Sequence, residues 1–179
     1  SDGLEIRWSL VDTALGQALV AVTERGVCAV LLGDDAQALA ADLQAEFPRA
    51  SLQRVDAGRD EFLAPRVRAV ADALARGQGS VPVELVGTAF QQRVWEALMR
   101  IPAGQTRSYA ELAASLGMPR AARAVARACA GNRVAVLVPC HRVIRGDGSL
   151  GGYRWGLPRK QALLDSETRH APPARRRQA

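Results

Sequence analysis

Short apolar runs separated by turn residues fill the first half of the chain. Each run is bounded by glycine, proline or charged residues and is short enough to form a buried strand. The predicted strands lie at residues 8–10, 18–22, 27–32 and 81–86. Apolar residues at helical spacing predict two helices, one between Asp35 and Pro48 and one over residues 60–76. We therefore expect a small α/β domain over residues 1–86.

The second half, residues 87–170, is predicted to be a mainly helical domain. The segment from Ser108 to Glu111 has the form of a capping box, in which a serine hydroxyl and a glutamate satisfy the first amides of a helix. An alanine-rich helix follows a glycine-containing turn and carries Arg123 and Arg127 one turn apart on the same face. Two short helices joined in this way predict a helix-turn-helix, a motif that binds nucleic acid.

Charge is distributed unevenly between the two halves. The chain carries 24 Lys and Arg against 18 Asp and Glu, a net charge of +6. Residues 1–88 account for −5 of this and residues 89–179 for +11. A basic half indicates a polyanionic partner for that half alone, although genome base composition explains the arginine bias equally well. The segment 171–179, rich in Pro and Arg, is expected to be a disordered tail.

Composition argues against several classes of protein. No apolar run reaches the roughly 18 residues of a membrane span, and the start, Ser1-Asp2-Gly3, has no signal-peptide pattern and is interpreted as a trimmed end. Three cysteines without a CxxC pair argue against a disulfide framework and a structural zinc site. We expect a cytoplasmic protein that holds no metal, with Cys28 and Cys129 in its core.

Cys140 is the candidate nucleophile. It follows the apolar run 134–138, predicted to be a buried strand, and precedes His141, one of two histidines. A free thiol has a pKa of about 8.5 and is mostly protonated at neutral pH, so a base is needed. Adjacent side chains diverge in extended backbone, so a water or a turn would have to connect the two groups, while Arg142 and Arg145 add positive potential. The alternative, a small buried hydrophobic residue, stays open at this point.

A glycine-rich segment, residues 145–156, follows the Cys-His pair. It carries Tyr153 and Trp155, which are suited to wall a pocket for a flat ring. The chain has no Walker pattern, and no GxGxxG motif opens a helix after a strand, so no nucleotide cofactor is expected. A last helix is predicted from about Leu157, with Glu167 near its end.

Residues 139–143, the loop 148–156 and Asn132, eight residues before the cysteine, together resemble the O6-alkylguanine-DNA alkyltransferases. The resemblance is dense from about Thr88 to Glu167 and only general in the first half. It implies a ribonuclease-H-like α/β domain followed by a winged-helix-like helical domain with a helix-turn-helix. It also implies a monomer that uses no cofactor.

The activity implied by the resemblance is that of a methylated-DNA–protein-cysteine methyltransferase. Such a protein binds the minor groove of double-stranded DNA and rotates the damaged base out of the stack. It then transfers the alkyl group from O6 of guanine, and also from O4 of thymine, irreversibly to its own cysteine. The resemblance therefore implies a DNA repair protein that acts once.

The resemblance also implies a role for each residue of the site. Cys140 would be the acceptor, His141 its water-mediated base and Glu167 the carboxylate that orients His141. Asn132 would brace the turn before the active-site strand, and Arg123 would fill the space left by the flipped base.

Further residues are assigned to the DNA and the base. Tyr109 would rotate the 3′ phosphate and help to protonate the leaving guanine. Main-chain groups at Cys140, Val143 and around Arg154 would contact the guanine edge. Tyr153 would lie in the active-site loop, and Ser108 is the remaining residue implied to contact the DNA or the base.

Two departures and two alternatives bear on this interpretation. Trp155 stands where some relatives have a small residue, so we expect a narrowed pocket that accepts O6-benzylguanine poorly. Non-catalytic relatives carry Trp at the position of Cys140, which disfavours lesion binding without repair. One alternative is a DNA-binding regulator in which Cys140 is structural. The other is a cysteine hydrolase that uses Cys140 and His141, although such enzymes usually have a base distant in sequence.

Overall fold

Four strands form a mixed sheet in the first half of the protein. The computed structural model describes residues 3–76 and 81–170, so the predicted tail at 171–179 lies outside the described residues. The strands are β1 (Glu5–Thr13), β2 (Gly16–Thr23), β3 (Gly26–Gly33) and β4 (Ser51–Arg54). Their order is β3-β2-β1-β4, with β4 parallel to β1 and the other neighbours antiparallel. The first three strands are confirmed, whereas β4 is largely exposed and lacks the apolar pattern that predicts a strand.

Two helices pack against this sheet, α1 (Ala36–Glu46) and α2 (Leu63–Arg76). Asp35 caps α1 by accepting from the amide of Gln37 at 3.0 Å, and Asp60 caps α2 by accepting from the amide of Leu63 at 2.8 Å. Their buried apolar residues are Leu39, Leu43, Leu63, Val67, Val70, Ala73 and Leu74. Both helices begin and end within three residues of the predicted bounds.

The second half contains most of the helices of the described chain. They are α3 (Ala89–Met99), α4 (Tyr109–Ser115), α5 (Ala122–Ala130) and α6 (Leu157–His170), with two short parallel strands, β5 (Arg107–Ser108) and β6 (Val143–Ile144). Ser108 caps α4 by accepting from the amide of Glu111 at 3.0 Å. Gly117, at a φ of +72°, lies in the turn after α4, and α4 packs against α5. The predicted pair of short helices is therefore confirmed within a mixed α/β fold.

The predicted strand at 81–86 is wrong. Only Val83 pairs, through an isolated parallel bridge to Val27. The contact consists of the amide of Val27 donating to Pro82 and the amide of Glu84 donating to Val27, each at 2.9 Å. Proline at this position has no N–H with which to extend a ladder.

The predicted strand at 134–138 is also wrong, because this apolar run forms a buried turn. Val134 alone bridges to β3, and the chain then reverses at Val136. The φ of Val136 is +68°, the one positive φ of a non-glycine residue in the described ranges. A turn that is buried on every side has the same apolar sequence signature as a buried strand. The acceptor candidate therefore begins a single turn of 3-10 helix, Cys140–Arg142, rather than ending a strand.

Backbone hydrogen bonds join this turn to the edge of the sheet. The amide of Val30 in β3 donates to Arg133 at 2.9 Å, and the amide of Ala135 donates back to Val30 at 3.0 Å. The segment before Cys140 is thereby held against the first half of the protein. None of the helices described is both long and apolar enough to cross a bilayer.

Candidate active site

Asn132 holds the thiol of Cys140 in the buried turn. Its Nδ2 donates to the Sγ of Cys140 at 3.3 Å and to the carbonyl of Val138 at 2.9 Å. Its Oδ1 accepts from the amide of Val134 at 2.9 Å. Both Asn132 and Cys140 are buried. One amide side chain therefore connects three points of the turn, one of which is the sulfur.

His141, next to the thiol in the 3-10 turn, forms a buried pair with Glu167 of α6. Nε2 of His141 lies 2.6 Å from Oε1 of Glu167. Arg142 donates from Nε to both oxygens of the same carboxylate at 3.0 Å and from Nη1 to the carbonyl of Ile101 at 2.7 Å. Nδ1 of His141 is buried and has no hydrogen-bond partner among the described residues.

The protonation states of Glu167 and His141 follow from this geometry. Burial alone would raise the pKa of Glu167, but hydrogen bonds from His141 and Arg142 hold it below its ordinary value, so the carboxylate is ionised. An ionised Glu167 accepts a proton-bearing Nε2, which leaves Nδ1 as the basic nitrogen. Burial also lowers the pKa of His141, although Glu167 opposes this, so the imidazole is neutral at pH 7.

The thiol of Cys140 is protonated in the resting protein. Burial raises its pKa to about 11, while the hydrogen bond from Asn132 and the charges of Lys160 and Arg154 partly oppose the rise. We expected Arg142 and Arg145 to supply this positive potential. The guanidinium of Arg142 is instead paired with the carboxylate of Glu167, so Arg142 does not supply the positive potential expected of it.

Lys160, a buried residue of α6, is a functional candidate that sequence reasoning missed. Its Nζ donates to the carbonyls of Val143 at 2.6 Å and Gly152 at 3.1 Å, and also to that of Leu150. These carbonyls belong to β6 and to the glycine-rich loop, so one ammonium group fastens the loop beside Cys140. The available signal was composition, since Lys160 is the single lysine among 24 basic residues.

A cavity of about 310 Å³ opens onto the thiol. Its walls come from the start of α4, from α5 and from the glycine-rich loop. The lining residues are Tyr109, Ala126, Cys129, Ala130, Cys140, Gly152, Tyr153 and Arg154. Cys129 is buried as predicted but also faces this cavity. A larger depression of about 610 Å³ beside β1 and β2 contains neither cysteine nor histidine and has no evident link to the chemistry.

Trp155 does not line this cavity, contrary to expectation. It is buried, its ring meets Tyr153 edge to face at a centroid distance of 5.4 Å, and the guanidinium of Arg154 lies 5.4 Å from its centroid. The indole therefore supports the cavity wall from behind and does not narrow the space directly.

The other residues implied to contact DNA lie in different settings. Arg123 is exposed on α5, as the proposed role requires. Ser108 is buried and its hydroxyl is occupied as the cap of α4, while the carbonyl of Val143 accepts from Lys160. In the described part of the chain, no three His, Cys, Asp or Glu side chains are grouped so that they could hold a metal ion.

Comparison with known proteins identifies sequence relatives. Residues 89–169 match the family described as 6-O-methylguanine DNA methyltransferase, DNA binding domain. The chain is 49% identical over 168 residues to the bifunctional transcriptional activator/DNA repair enzyme Ada of Escherichia coli (strain K12), covering 93% of this chain and 46% of Ada. It is 55% identical over 92 residues to methylated-DNA–protein-cysteine methyltransferase of Mycobacterium tuberculosis, covering 51% and 56%. The chain thus spans about half the length of the curated relatives it matches.

Solved structures match over nearly the whole chain. The crystal structure of Mycobacterium tuberculosis O6-methylguanine methyltransferase has a TM-score of 0.73 at 33% identity, covering 94% of this chain and 96% of that one. The structure described as Mycobacterium tuberculosis OGT in complex with DNA has a TM-score of 0.72 at 34% identity, covering 93% and 96%. On this evidence, the chain belongs to the O6-methylguanine-DNA methyltransferase family.

Proposed function

We propose that this protein repairs alkylated DNA by moving the alkyl group from O6 of guanine, and from O4 of thymine, irreversibly onto Cys140. The observation that carries the proposal is the Cys140 thiol, which lines a cavity and belongs to the same 3-10 turn as His141 of the buried His141–Glu167 pair. The names of the relatives support the same activity, that of a methylated-DNA–protein-cysteine methyltransferase.

The reaction begins with removal of the thiol proton. His141 takes this proton at Nδ1 through one water, and Glu167 stabilises the imidazolium that results. The thiolate attacks the alkyl carbon, so the Sγ–C bond forms as the C–O bond to the base breaks, and the electron pair of that bond leaves with the guanine.

Tyr109 then supplies the proton that neutralises the guanine. Solvent reprotonates the phenolate of Tyr109 and takes the proton from the His141 imidazolium. Burial raises the pKa of Tyr109, so the phenol is protonated when the base leaves. Asn132 and Lys160 stabilise the thiolate before the attack, Asn132 through its 3.3 Å hydrogen bond and Lys160 through its charge. The product is a thioether, which is a poor leaving group, so each molecule acts once.

The substrate must leave the duplex to reach the thiol. A base inside the stack does not expose its O6 substituent to a recessed sulfur, so base flipping is part of the proposal. We propose that α4 and α5 bind the minor groove and that Arg123 enters the space left by the flipped base. The exposure of Arg123 and the +11 charge of residues 89–179 support this orientation.

The finer architecture is also proposed. Residues 1–86 would be a ribonuclease-H-like domain and residues 87–170 a winged-helix-like domain, in a cytoplasmic monomer without a cofactor. The concentration of strands β1 to β4 in the first half and of helices α3 to α6 in the second supports this division.

A DNA-binding regulator is the second candidate, because Arg123 and Arg127 are both exposed on α5. That function would use the helix pair alone. It gives no reason for a buried base and carboxylate beside a thiol.

A titration with excess O6-methylguanine duplex distinguishes these functions. We expect lesion loss to reach a plateau at one lesion per protein molecule, Cys140→Ser to remove none, and Cys28→Ala, a loss of a thiol from β3, to behave like the wild type. Repeated turnover would contradict irreversible transfer. If the wild type leaves the lesions intact and binds DNA as tightly as Cys140→Ser does, the DNA-binding regulator would be favoured.

A further inference from the structure

Glu46, the last residue of α1, connects the first half of the protein to the active site at two points. Its Oε2 accepts from Nε of Arg133 at 2.5 Å, and its Oε1 accepts from Nη2 of Arg154 at 2.7 Å. The three side chains are between 20% and 25% exposed, so the contacts are largely shielded from solvent. Two arginines therefore share one carboxylate.

Both arginines belong to the framework of the active site. Arg133 directly follows Asn132, and its backbone is held by the bridge to β3. Arg154 lines the cavity with Cys140 and donates from Nη1 to the carbonyl of Asn132 at 2.9 Å. Glu46 thus connects the segment that orients the thiol to the loop that walls the cavity.

The charges explain why the carboxylate is needed. Burial alone would raise the pKa of Glu46, but hydrogen bonds and charges from Arg133 and Arg154 hold it below its ordinary value, so Glu46 is ionised at neutral pH. Without that charge, two guanidinium groups would face each other with little screening. Arg154 would move first, because it lies in a loop, whereas the backbone of Arg133 is paired with β3.

We propose that Glu46 is a positioning residue that holds Arg154, and with it the wall of the cavity, in place beside Asn132 and Cys140. Glu46 touches no reacting atom and acts through Arg154. The inference rests on the proposed alkyl transfer and gives the first half of the protein a part in it.

The test uses Glu46→Gln, which keeps the shape of the side chain and removes its charge, and Glu46→Asp, which keeps the charge. The matched control is Glu84→Gln, because Glu84 is another carboxylate of the first half but is bonded to Thr23 rather than to either arginine. Two quantities are measured in the full chain. One is the second-order rate constant of methyl transfer from duplex DNA, and the other is hydrogen exchange of the backbone amides at 150–154.

We expect Glu46→Gln to lower the rate constant about tenfold and to speed exchange in the loop, with Glu84→Gln within about twofold of the wild type. Glu46→Asp should recover most of the rate. Arg154→Gln also removes the bond to the carbonyl of Asn132, so it should be at least as slow as Glu46→Gln. The double variant should be no slower than Arg154→Gln alone, because the contact with Glu46 is already lost there. A merely structural residue would lower the melting temperature without this coupling.

Unchanged exchange in the loop, an unchanged rate constant, or additive losses in the double variant would each overturn the inference. If Glu46→Gln does not fold, Arg154→Gln and its loop exchange provide the same test from the other side of the contact. A wild-type protein that transfers no methyl group would defeat the proposed function together with this inference. If the wild type transfers methyl groups at the same rate as Glu46→Gln, the inference about Glu46 would be wrong and the proposed function would stand.

Discussion

Nε2 of His141 lies 2.6 Å from Oε1 of Glu167, and both side chains are buried. Arg142 donates to both oxygens of the same carboxylate. The imidazole is therefore fixed in orientation, with Nδ1 as its basic nitrogen. A thiol whose pKa is raised to about 11 needs such a base.

Replacing Glu167 should weaken His141 as a base. We expect Glu167→Gln to slow single-turnover methyl transfer about 100-fold, since the imidazolium loses its stabilising charge. Asp165→Asn removes an exposed carboxylate from the same helix and should react at the wild-type rate. A Glu167→Gln protein as fast as Asp165→Asn would contradict the assignment of His141 as base.

The Glu167 carboxylate should make the free energy of unfolding depend on pH in the acid range. The pKa of Glu167 is lowered from the ordinary value of 4.5, so its contribution is present above that pH and is lost as the pH falls through the lower folded-state value. At pH 7, Glu167→Gln should be about 3 kcal/mol less stable than the wild type, because the Arg142 guanidinium loses its buried partner. Urea unfolding should show this difference shrinking with acidification. A difference independent of pH would contradict it.

The pH profile of the reaction should identify the route of the proton. Burial raises the pKa of Cys140 to about 11 and lowers that of His141. Between these values, moving a proton from thiol to imidazole leaves the total number of bound protons unchanged, so the relay supplies thiolate independently of pH. We expect a flat rate between about pH 7 and 9 in the wild type and a rise of about tenfold per pH unit in His141→Gln. A wild-type rate that rises in the same way would exclude the relay.

Lys160 should stabilise both the glycine-rich loop and the thiolate of Cys140. Lys160→Met removes the ammonium group from three carbonyls and a positive charge that lowers the pKa of Cys140. We expect a loss of about 2 kcal/mol in the free energy of unfolding and at least about tenfold in the transfer rate. The neighbouring exposed residue gives the control Gln161→Met, which should change neither. Wild-type kinetics in Lys160→Met would remove Lys160 from the site.

Arg123 should affect repair only of double-stranded DNA, in which the bases are stacked. Arg123→Ala is expected to slow repair of duplex DNA about tenfold and to leave repair of a single-stranded oligonucleotide unchanged, because no space in a stack has to be filled. Arg68→Ala removes an exposed arginine from α2 and serves as the charge-matched control. Equal losses on both substrates would indicate a phosphate contact instead.

The sequence was sufficient to predict the first three strands, which are short apolar runs bounded by turn residues. It also predicted the helix pair α4 and α5, from the capping pattern at residues 108–111 and the glycine-containing turn between the helices. It did not predict the turn around Val136, since a turn buried on every side has the apolar signature of a strand. The partners of Lys160 are backbone carbonyls, which no side-chain pattern encodes. Glu46 is 87 residues from Arg133 and 108 from Arg154, and only the packing of the two halves brings them together.

The most direct test of the account is the mass of the protein after reaction with O6-methylguanine duplex DNA. We predict one added methyl group per molecule, about 14 Da, mapped by peptide analysis to Cys140 and absent from Cys28 and Cys129. Saturation at one adduct would establish Cys140 as the acceptor. Tight binding of the lesion with no adduct, or an adduct on another residue, would contradict the central claim.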